Sequence, residues 1–162
     1  MPNAIFFYRI ERWLYLHHVP LIPKFFELLI FLIYNSKITC TTSIGKGTKC
    51  ICRGISVILH NNVIIGDNCS IGAHCCITGK TPYKNVPKIG NNVFIGHNTV
   101  ISGAVIIEDG AIIGNGAVVM KSVPKNAIVA GVPAKIIGYR DNLNYTFSAE
   151  KELIDDTLPF LK

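Results

Sequence analysis

Residues 89–119 read IGNNVFIGHNTVISGAVIIEDGAIIGNGAVV, and an isoleucine or valine returns at every sixth position of this stretch. The same period extends back to Leu59, where every sixth residue is aliphatic except Tyr83. Four residues after each of these positions comes a small or compact side chain, such as Cys69 or Ala117. Neither a helix of about 3.6 residues per turn nor an alternating strand repeats every six residues. The period therefore predicts a solenoid whose short sides each turn one large and one small residue inward.

Glycines follow directly on several of the aliphatic positions, as at Gly72, Gly96 and Gly114, where a tight corner favours the absence of a side chain. This pattern resembles that of the hexapeptide-repeat acyltransferases over residues 38–138. The resemblance implies a mainly β fold, a left-handed parallel β-helix of triangular cross-section with three repeats in each coil. Because coils stack at about 4.8 Å, residues eighteen apart are expected to lie one above another.

A length of 162 residues is typical of one domain that can bury a sizeable core. The sequence predicts an N-terminal helical segment over residues 1–36, the β-helix over 37–138 and a C-terminal extension over 139–162. Within the extension, residues 148–161 are predicted to form a short helix that closes the end of the β-helix, since an open end exposes unpaired backbone groups.

Two helices are predicted before the repeats, over residues 3–18 and 23–34, because prolines separate two stretches rich in leucine and aromatic residues. The second stretch is apolar nearly all round but shorter than the roughly 20 residues that span a bilayer. Two interpretations remain open for these helices. They either pack on the β-helix or a neighbouring subunit, or contact a membrane surface peripherally with Arg9, Arg12 and Lys24 near lipid headgroups.

The net charge is +6, but the basic residues are spread out and lack the interleaved aromatics of nucleic-acid-binding proteins, so no nucleic-acid partner is predicted. The six cysteines are expected to be reduced thiols of a cytoplasmic protein. The N-terminus lacks the succession of basic, apolar and small residues of a secretory signal. A cytoplasmic location is therefore predicted, with membrane association as the alternative.

Three further motifs narrow the resemblance: KIGNNVFIG at residues 88–96, KSVP at 121–124 and AGVPAK at 130–135. Together they resemble the C-terminal part of serine acetyltransferases and sugar acetyltransferases. The resemblance implies acetyl-CoA as the donor substrate, no metal, and a homotrimer with its active clefts between neighbouring subunits.

The same resemblance implies which residues line the donor site. The eighteen-residue rule places Gly79, His97 and Asn115 in one column, and the cofactor-lining positions of the family match these three. Lys121 and Lys135 are then expected near the phosphates of acetyl-CoA as ammonium charges.

The period of six is interrupted twice. Nine residues, rather than six, separate Cys50 from Leu59, which predicts a slip of three residues around Arg53. Residues 79–87 keep the count but have the composition of a turn, so they are predicted to leave the coil as a loop. In the acyltransferases, a loop at this point covers the active cleft.

Direct acetyl transfer needs a base that takes the proton of the attacking hydroxyl group, and histidine suits this role. His60 follows the slip, lies eighteen residues before Thr78 at the root of the loop, and matches a V-I-H motif of short polysaccharide-locus acetyltransferases. His60 is therefore predicted to be the catalytic base. His17 and His18 fall in the helical segment, and His74 is expected to be a solvated corner residue.

The chain departs from serine acetyltransferases at three positions. The histidine of their D-H-A-T-G motif aligns with Arg53, an acidic partner with Lys37, and a second histidine with Val86. These departures favour the hydroxyl group of a saccharide or polysaccharide precursor as acceptor, with serine O-acetylation as the alternative.

Three other functions stay open from the residues alone. A Cys76 nucleophile paired with His74 would form an acyl-enzyme, although no acid orients the pair. A γ-carbonic-anhydrase-like protein would hold zinc through histidines such as His60 and His97. A non-catalytic scaffold is the third.

Overall fold

The computed structural model describes residues 2–79 and 85–140. Two helices come first, followed by fourteen short strands. The helices are α1 (Ala4–Leu16) and α2 (Ile22–Tyr34). The strands are β1 (Ser43–Ile44), β2 (Lys49–Cys50), β3 (Ile58–Leu59), β4 (Ile64–Ile65), β5 (Ser70–Ile71), β6 (Cys76–Thr78), β7 (Lys88–Ile89), β8 (Phe94–Ile95), β9 (Val100–Ser102), β10 (Ile106–Ile107), β11 (Ile112–Ile113), β12 (Val118–Val119), β13 (Ala127–Ala130) and β14 (Lys135–Tyr139).

The strands form three sheets, in the orders β1-β4-β7-β10 (sheet 1), β2-β5-β8-β11-β13-β14 (sheet 2) and β3-β6-β9-β12 (sheet 3). Successive strands of the coiled region pass from sheet 1 to sheet 2 to sheet 3, and every pair except β13–β14 is parallel. Three sheets joined by tight corners give a triangular coil. The structure therefore confirms the parallel β-helix and the two N-terminal helices predicted from the sequence. The predicted closing helix over 148–161 lies outside the described residues.

The two sets of residues defined by the period of six form the core. Every large member in the described part of the chain is buried, from Leu59 to Val119, and so is every small member from Val63 to Val123. Tyr83 and Thr81, which the same count includes, lie outside the described residues. The core is thus a stack of isoleucines whose neighbours across the coil are small enough to let them meet.

All six cysteines are free thiols, as predicted. Burial raises the pKa of Cys50 to about 12 and also raises the pKa of Cys69 and Cys75. The Cys69 and Cys75 thiols donate to the carbonyl oxygens of Gly90 and Gly96, at 3.1 and 3.0 Å. These cysteines therefore pack in the interior of the coil as protonated thiols.

Strand pairing measures both interruptions of the period. Ile58 pairs with Cys76, eighteen residues later, as an undisturbed coil requires. Cys50 pairs with Ile71, so the coil around Arg53 contains three extra residues, as predicted. Ile65 pairs with Ile89, a separation of twenty-four, so the coil that includes residues 79–87 contains six extra residues. The six extra residues therefore lie between Thr78 and Lys88 and change the stacking across this point. Residues 80–84 of the predicted loop lie outside the described residues.

Helix α1 lies against the first coil and satisfies its open backbone groups. The Tyr8 hydroxyl donates to the Thr42 carbonyl at 2.6 Å, and Arg12 donates to the same carbonyl at 2.7 Å. Arg9 donates to the carbonyls of Ile44 and Gly45 at 3.1 and 2.5 Å. The two arginines thus hold the helix on the β-helix.

Glu11 lies on the buried face of α1, and within residues 2–79 and 85–140 neither oxygen of its carboxyl group has a partner at full hydrogen-bond geometry. Burial raises the pKa of Glu11 to about 8, Glu27 raises it further, and the Cys40 backbone opposes the shift. The carboxyl group is therefore neutral in the folded protein near pH 7. An unfolded chain would ionise it above pH 4.5, its ordinary value.

This difference predicts how stability depends on pH. Between about pH 4.5 and 8 the folded state binds more protons at Glu11 than the unfolded state, so the free energy of unfolding falls as pH rises, by at most about 1.4 kcal/mol per pH unit. Glu11→Gln should flatten this slope and stabilise the protein near pH 8. Urea unfolding at pH 5, 6.5 and 8 measures the effect, and parallel slopes for both proteins would contradict it.

No helix in residues 2–79 or 85–140 has the length and apolar character needed to cross a bilayer.

Candidate functional site

The outer surface of sheet 3 collects most of the predicted site residues at its two edges. Its outward side chains, aligned by strand pairing, are Ile58, Cys76, Val100 and Val118. We call this surface the sheet 3 face. In each coil the chain reaches this face from sheet 2 and leaves it toward sheet 1. We call the edge next to sheet 2 the entry edge and the edge next to sheet 1 the exit edge.

The exit edge carries Gly79, but the column predicted for this residue is wrong. Thr78 pairs with Ser102, and the Gly103 amide donates to the Thr78 carbonyl at 3.1 Å, so Gly79 stacks beside Gly103. Lys121 follows one coil later, because Val119 pairs with Ile101. The error arises because the rule of eighteen fails across a loop that adds six residues. His97 and Asn115 instead lie on the entry edge of the face.

His60 also lies on the exit edge, directly after β3. Its backbone amide donates to the Ile77 carbonyl at 2.9 Å, which places it beneath Thr78 as predicted. The imidazole is exposed, and its Nδ1 accepts a hydrogen bond from the Asn62 amide at 3.2 Å. In this rotamer the neutral ring therefore carries its proton on Nε2. Nε2 is a hydrogen-bond acceptor only in the other neutral tautomer, in which Nδ1 carries the proton and the Asn62 contact is released.

His97 and Asn115 stack as predicted, and hydrogen bonds explain why. The Ala73 amide donates to Nδ1 of His97 at 2.9 Å, and the His97 amide donates to Oδ1 of Asn115 at 2.8 Å. At the corner between sheets 1 and 2, Asp67, Asn91 and Asp109 form a similar ladder, each accepting from an amide of the coil before. The His97 ring therefore joins its own coil to the coil before, and the His97 backbone amide joins it to the coil after. Within residues 2–79 and 85–140, the Nε2–H of the ring donates no hydrogen bond.

The hydrogen bond from Ala73 predicts that His97 contributes to the stability of the β-helix. His97→Ala leaves the Ala73 amide without its partner and should lower the free energy of unfolding by about 1–2 kcal/mol. His97→Asn supplies an oxygen at the same rung, as Asn91 does, and should lose less. Thermal unfolding of both variants measures the difference. Equal losses for the two variants would contradict a stabilising hydrogen bond between the Ala73 amide and residue 97.

Lys121 and Lys135 line one groove of about 300 Å³ near the C-terminal end of the β-helix, together with Ser122, Val129 and Ala134. Lys121 comes from the exit edge of sheet 3, and Lys135 from β14 on sheet 2. The structure thus brings these two predicted phosphate contacts together. Lys121 lies in the coil above Gly103, at the end of the edge that carries His60, whereas Lys135 pairs with Ala130 on sheet 2.

A second groove, of about 590 Å³, was not foreseen from the sequence. It lies at the other end of the sheet 3 face, between α2 and the first coil. Its lining combines charged, polar and apolar side chains: Lys24, Glu27, Leu28, Phe31, Asn35, Ser36, Lys37, Ser56 and Ile58. The floor is fixed, because the Ser36 hydroxyl donates to the Gly54 carbonyl at 2.6 Å and accepts from the Val57 amide at 2.8 Å.

The three positions that depart from serine acetyltransferases are distributed around this end of the face. Lys37 pairs with Ile58 and lines the groove. Arg53 is exposed in the three-residue slip, where it and Cys52 adopt positive φ angles of 62° and 50°. Val86 packs on the core beside Gly79 at the root of the loop. At the three positions where the resemblance implies an acid and two histidines, this chain therefore has a lysine, an arginine and a valine.

His60 and His97, named above as possible zinc ligands, lie on opposite edges of the sheet 3 face. Among residues 2–79 and 85–140, no three His, Cys, Asp or Glu side chains converge to hold a metal ion. Cys76 points outward from the middle of the face, and burial raises the pKa of its thiol, which disfavours a thiolate nucleophile.

Comparison with known proteins agrees with this architecture. Residues 87–121 match the bacterial transferase hexapeptide family (six repeats), and residues 62–79 match the hexapeptide repeat of succinyl-transferase. No curated protein matches the sequence.

Among solved structures, the chain is similar to serine acetyltransferase from Brucella abortus in complex with coenzyme A, at 30% identity and a TM-score of 0.78. The similarity covers 84% of this chain and 55% of that protein. The serine acetyltransferase of Neisseria gonorrhoeae gives 30% identity, a TM-score of 0.76 and coverage of 84% and 54%. The serine acetyltransferase of Vibrio cholerae gives 29% identity and a TM-score of 0.77, with coverage of 85% of this chain and 54% of that protein.

This chain therefore spans about half the length of the serine acetyltransferases it resembles. The matched repeats, the triangular coil and the similarity of fold agree with one another. On these grounds the chain belongs to the hexapeptide-repeat acyltransferase superfamily.

Proposed function

We propose that this protein is an acetyl-CoA-dependent O-acetyltransferase. The observation that carries the proposal is the similarity to a serine acetyltransferase solved with coenzyme A, which extends over 84% of this chain. The exit edge of the sheet 3 face supports it, because His60 and Lys121 lie along this edge at different heights of the coil, and Lys135 lines the same groove as Lys121.

The donor is proposed to lie along the exit edge. Two glycines, Gly79 and Gly103, present no side chain there, Lys121 follows at the C-terminal end, and Lys135 lines the same groove as Lys121. From His60 to Lys121 the edge rises by three coils, on the order of 14 Å. A thioester near His60 thus leaves the phosphates within reach of the two ammonium groups.

His60 is proposed as the base. His60 takes the proton of the acceptor hydroxyl group while the hydroxyl oxygen attacks the thioester carbonyl. The C–S bond then breaks, and the protonated imidazole returns its proton to the sulfur of coenzyme A. The reaction requires the Nε2 lone pair, so the Asn62 contact with Nδ1 must break first. That contact spans only two residues on an exposed side chain, which makes the change of tautomer and rotamer inexpensive.

The acceptor is proposed to enter the groove between α2 and the first coil, next to Ile58 and two residues from His60. Two acceptor classes have separate support. The similar solved structures are serine acetyltransferases, which favours serine. The residues at Arg53, Lys37 and Val86 differ from that family, which favours the hydroxyl group of a saccharide or polysaccharide precursor.

We further propose a homotrimer in the cytoplasm, where acetyl-CoA and reduced thiols are both found. His97 and Asn115 lie on the entry edge, across the sheet 3 face from His60. In a trimer, the entry edge of one chain can meet the exit edge of its neighbour. Such an arrangement retains both residues as predicted donor contacts.

Thiol release from acetyl-CoA, measured with a panel of acceptors, tests the function. The panel contains L-serine, neutral monosaccharides and nucleotide-linked sugars, with an acceptor-free reaction as control. Acceptor-dependent release with any member supports O-acetyl transfer, and the preferred member decides between the two classes. If no acceptor raises release above the control while the protein binds acetyl-CoA, the scaffold alternative gains support.

A further inference from the structure

The groove between α2 and the first coil has a lysine in its β-helix wall. Lys37 pairs with Ile58, an outward residue of the sheet 3 face, and paired residues of parallel strands point to the same side. The next residue, Ile38, is fully buried, so the alternation of side chains also turns Lys37 outward. The Lys37 amide donates to the Val57 carbonyl, and the Leu59 amide donates to the Lys37 carbonyl, both at 2.9 Å. Lys37 therefore has a fixed place in the wall, one coil before Ile58.

The positive charge of Lys37 is not balanced inside the groove. The outward column that Lys37 begins continues through uncharged side chains, namely Ile58, Cys76, Val100 and Val118. Within residues 2–79 and 85–140, the Lys37 ammonium group forms no ion pair. The opposite wall, on α2, carries Lys24 and Glu27, whose charges offset each other three positions apart on one helix. Two lysines and one glutamate thus leave one positive charge, at Lys37.

Lys37 also lies within reach of the proposed base. One coil and two residues along the strand separate Lys37 from His60, on the order of 8 Å between their Cα atoms. Leu28 and Phe31, each 52% exposed, give the groove an apolar wall beside the lysine. A single small molecule can therefore place a charged group at Lys37 and a hydroxyl group at His60.

The sign of the charge discriminates between acceptors. The resemblance to serine acetyltransferases implies an acid at position 37, so this chain reverses the charge there. A lysine repels the ammonium group that free serine carries beside its hydroxyl group, and it attracts an anion. Arg53 adds a second exposed positive charge, three residues before Ser56 of the groove lining.

We propose that Lys37 binds an anionic group, a phosphate or a carboxylate, on the acceptor whose hydroxyl group His60 deprotonates. The acceptor is then an acidic sugar, either phosphorylated or a uronate. The Lys37 ammonium group donates a charge-assisted hydrogen bond to the anion, which is unchanged in the reaction. This inference rests on the proposed function, because that function places the acceptor in the groove.

Isothermal titration with glucose, glucose 1-phosphate and glucuronate, without acetyl-CoA, tests the subsite on the full chain. These three probes share one ring and differ in charge and in the type of anion. At least one anionic probe should bind about tenfold tighter than glucose, and the tighter of the two identifies the anion. Lys37→Ala should remove this difference and leave glucose binding unchanged. Lys37→Arg retains a positive charge and should keep most of the difference.

Lys46→Ala is the matched control, because Lys46 is also exposed on the first coil but does not line the groove. It should bind all three probes like the wild type. Circular dichroism checks that every variant is folded.

Three outcomes overturn the proposal. The first is a wild type that binds neither anion more tightly than glucose. The second is a Lys37→Ala variant that retains the preference for the anion. The third is loss of anion binding only when Lys121 and Lys135 are replaced by alanine, which would put the anion in the C-terminal groove. Because titration needs no turnover, Lys37-dependent binding without acceptor-dependent thiol release supports the subsite and contradicts the proposed function.

Discussion

His60→Ala should lower turnover by about 10²–10⁴-fold while leaving the affinity for acetyl-CoA nearly unchanged. The imidazole is exposed on the exit edge, away from the buried core, so its removal costs little stability. Only the step that removes the acceptor proton is affected. Steady-state thiol release, with acceptor and donor varied separately, gives the two parameters.

His17→Ala is the matched control, because His17 is also exposed but belongs to the end of α1. Its turnover should equal that of the wild type. If His60→Ala retains wild-type turnover, the assignment of the base to His60 is wrong, and the proton must pass to another group on the face.

Ile101→Ala should lower the free energy of unfolding by about 2–5 kcal/mol. Ile101 is fully buried in the isoleucine stack, between Ile77 of the coil before and Val119 of the coil after. The coil is held by its hydrogen-bonded neighbours, so it closes only partly around the cavity.

Ile106→Ala is the control for that experiment, since this isoleucine points outward from β10 and is about half exposed. It should lose less than about 1 kcal/mol. Urea unfolding of both variants, at one protein concentration, measures the two losses. Similar values would show that the period of six does not define the interior.

The repeat itself was predictable because a triangular coil demands one large and one small inward residue per side. Leu59, Ile77 and Ile101 are buried for this reason, and each was identified without coordinates. The slip at Arg53 and the loop at 79–87 were also recognised from the change of spacing or composition. These features depend on local sequence, which is why sequence alone revealed them.

The column of Gly79 was wrong because residue counting cannot tell a coil side from a loop of the same length. Residues 79–87 preserve the count of six, yet Ile65 pairs with Ile89 across twenty-four residues. Only strand pairing shows that the six belong to the loop. His97 and Asn115 survived as a pair because no interruption falls between them.

Other features of the site arise from tertiary contacts that no spacing encodes. The groove beside Ile58 exists because α2 packs against the first coil. The orientation of the His60 and His97 rings follows from backbone amides that reach each Nδ1. The burial of the Glu11 carboxyl group was not predicted for the same reason, because it depends on the packing of α1 against the first coil.

Isothermal titration of the purified protein with acetyl-CoA tests the central claim most directly. The account predicts saturable binding of one donor per chain, and about tenfold weaker binding when Lys121 and Lys135 are both replaced by alanine. The absence of binding heat at millimolar acetyl-CoA, or equal affinity in the double variant, would contradict a donor site along this edge of the β-helix.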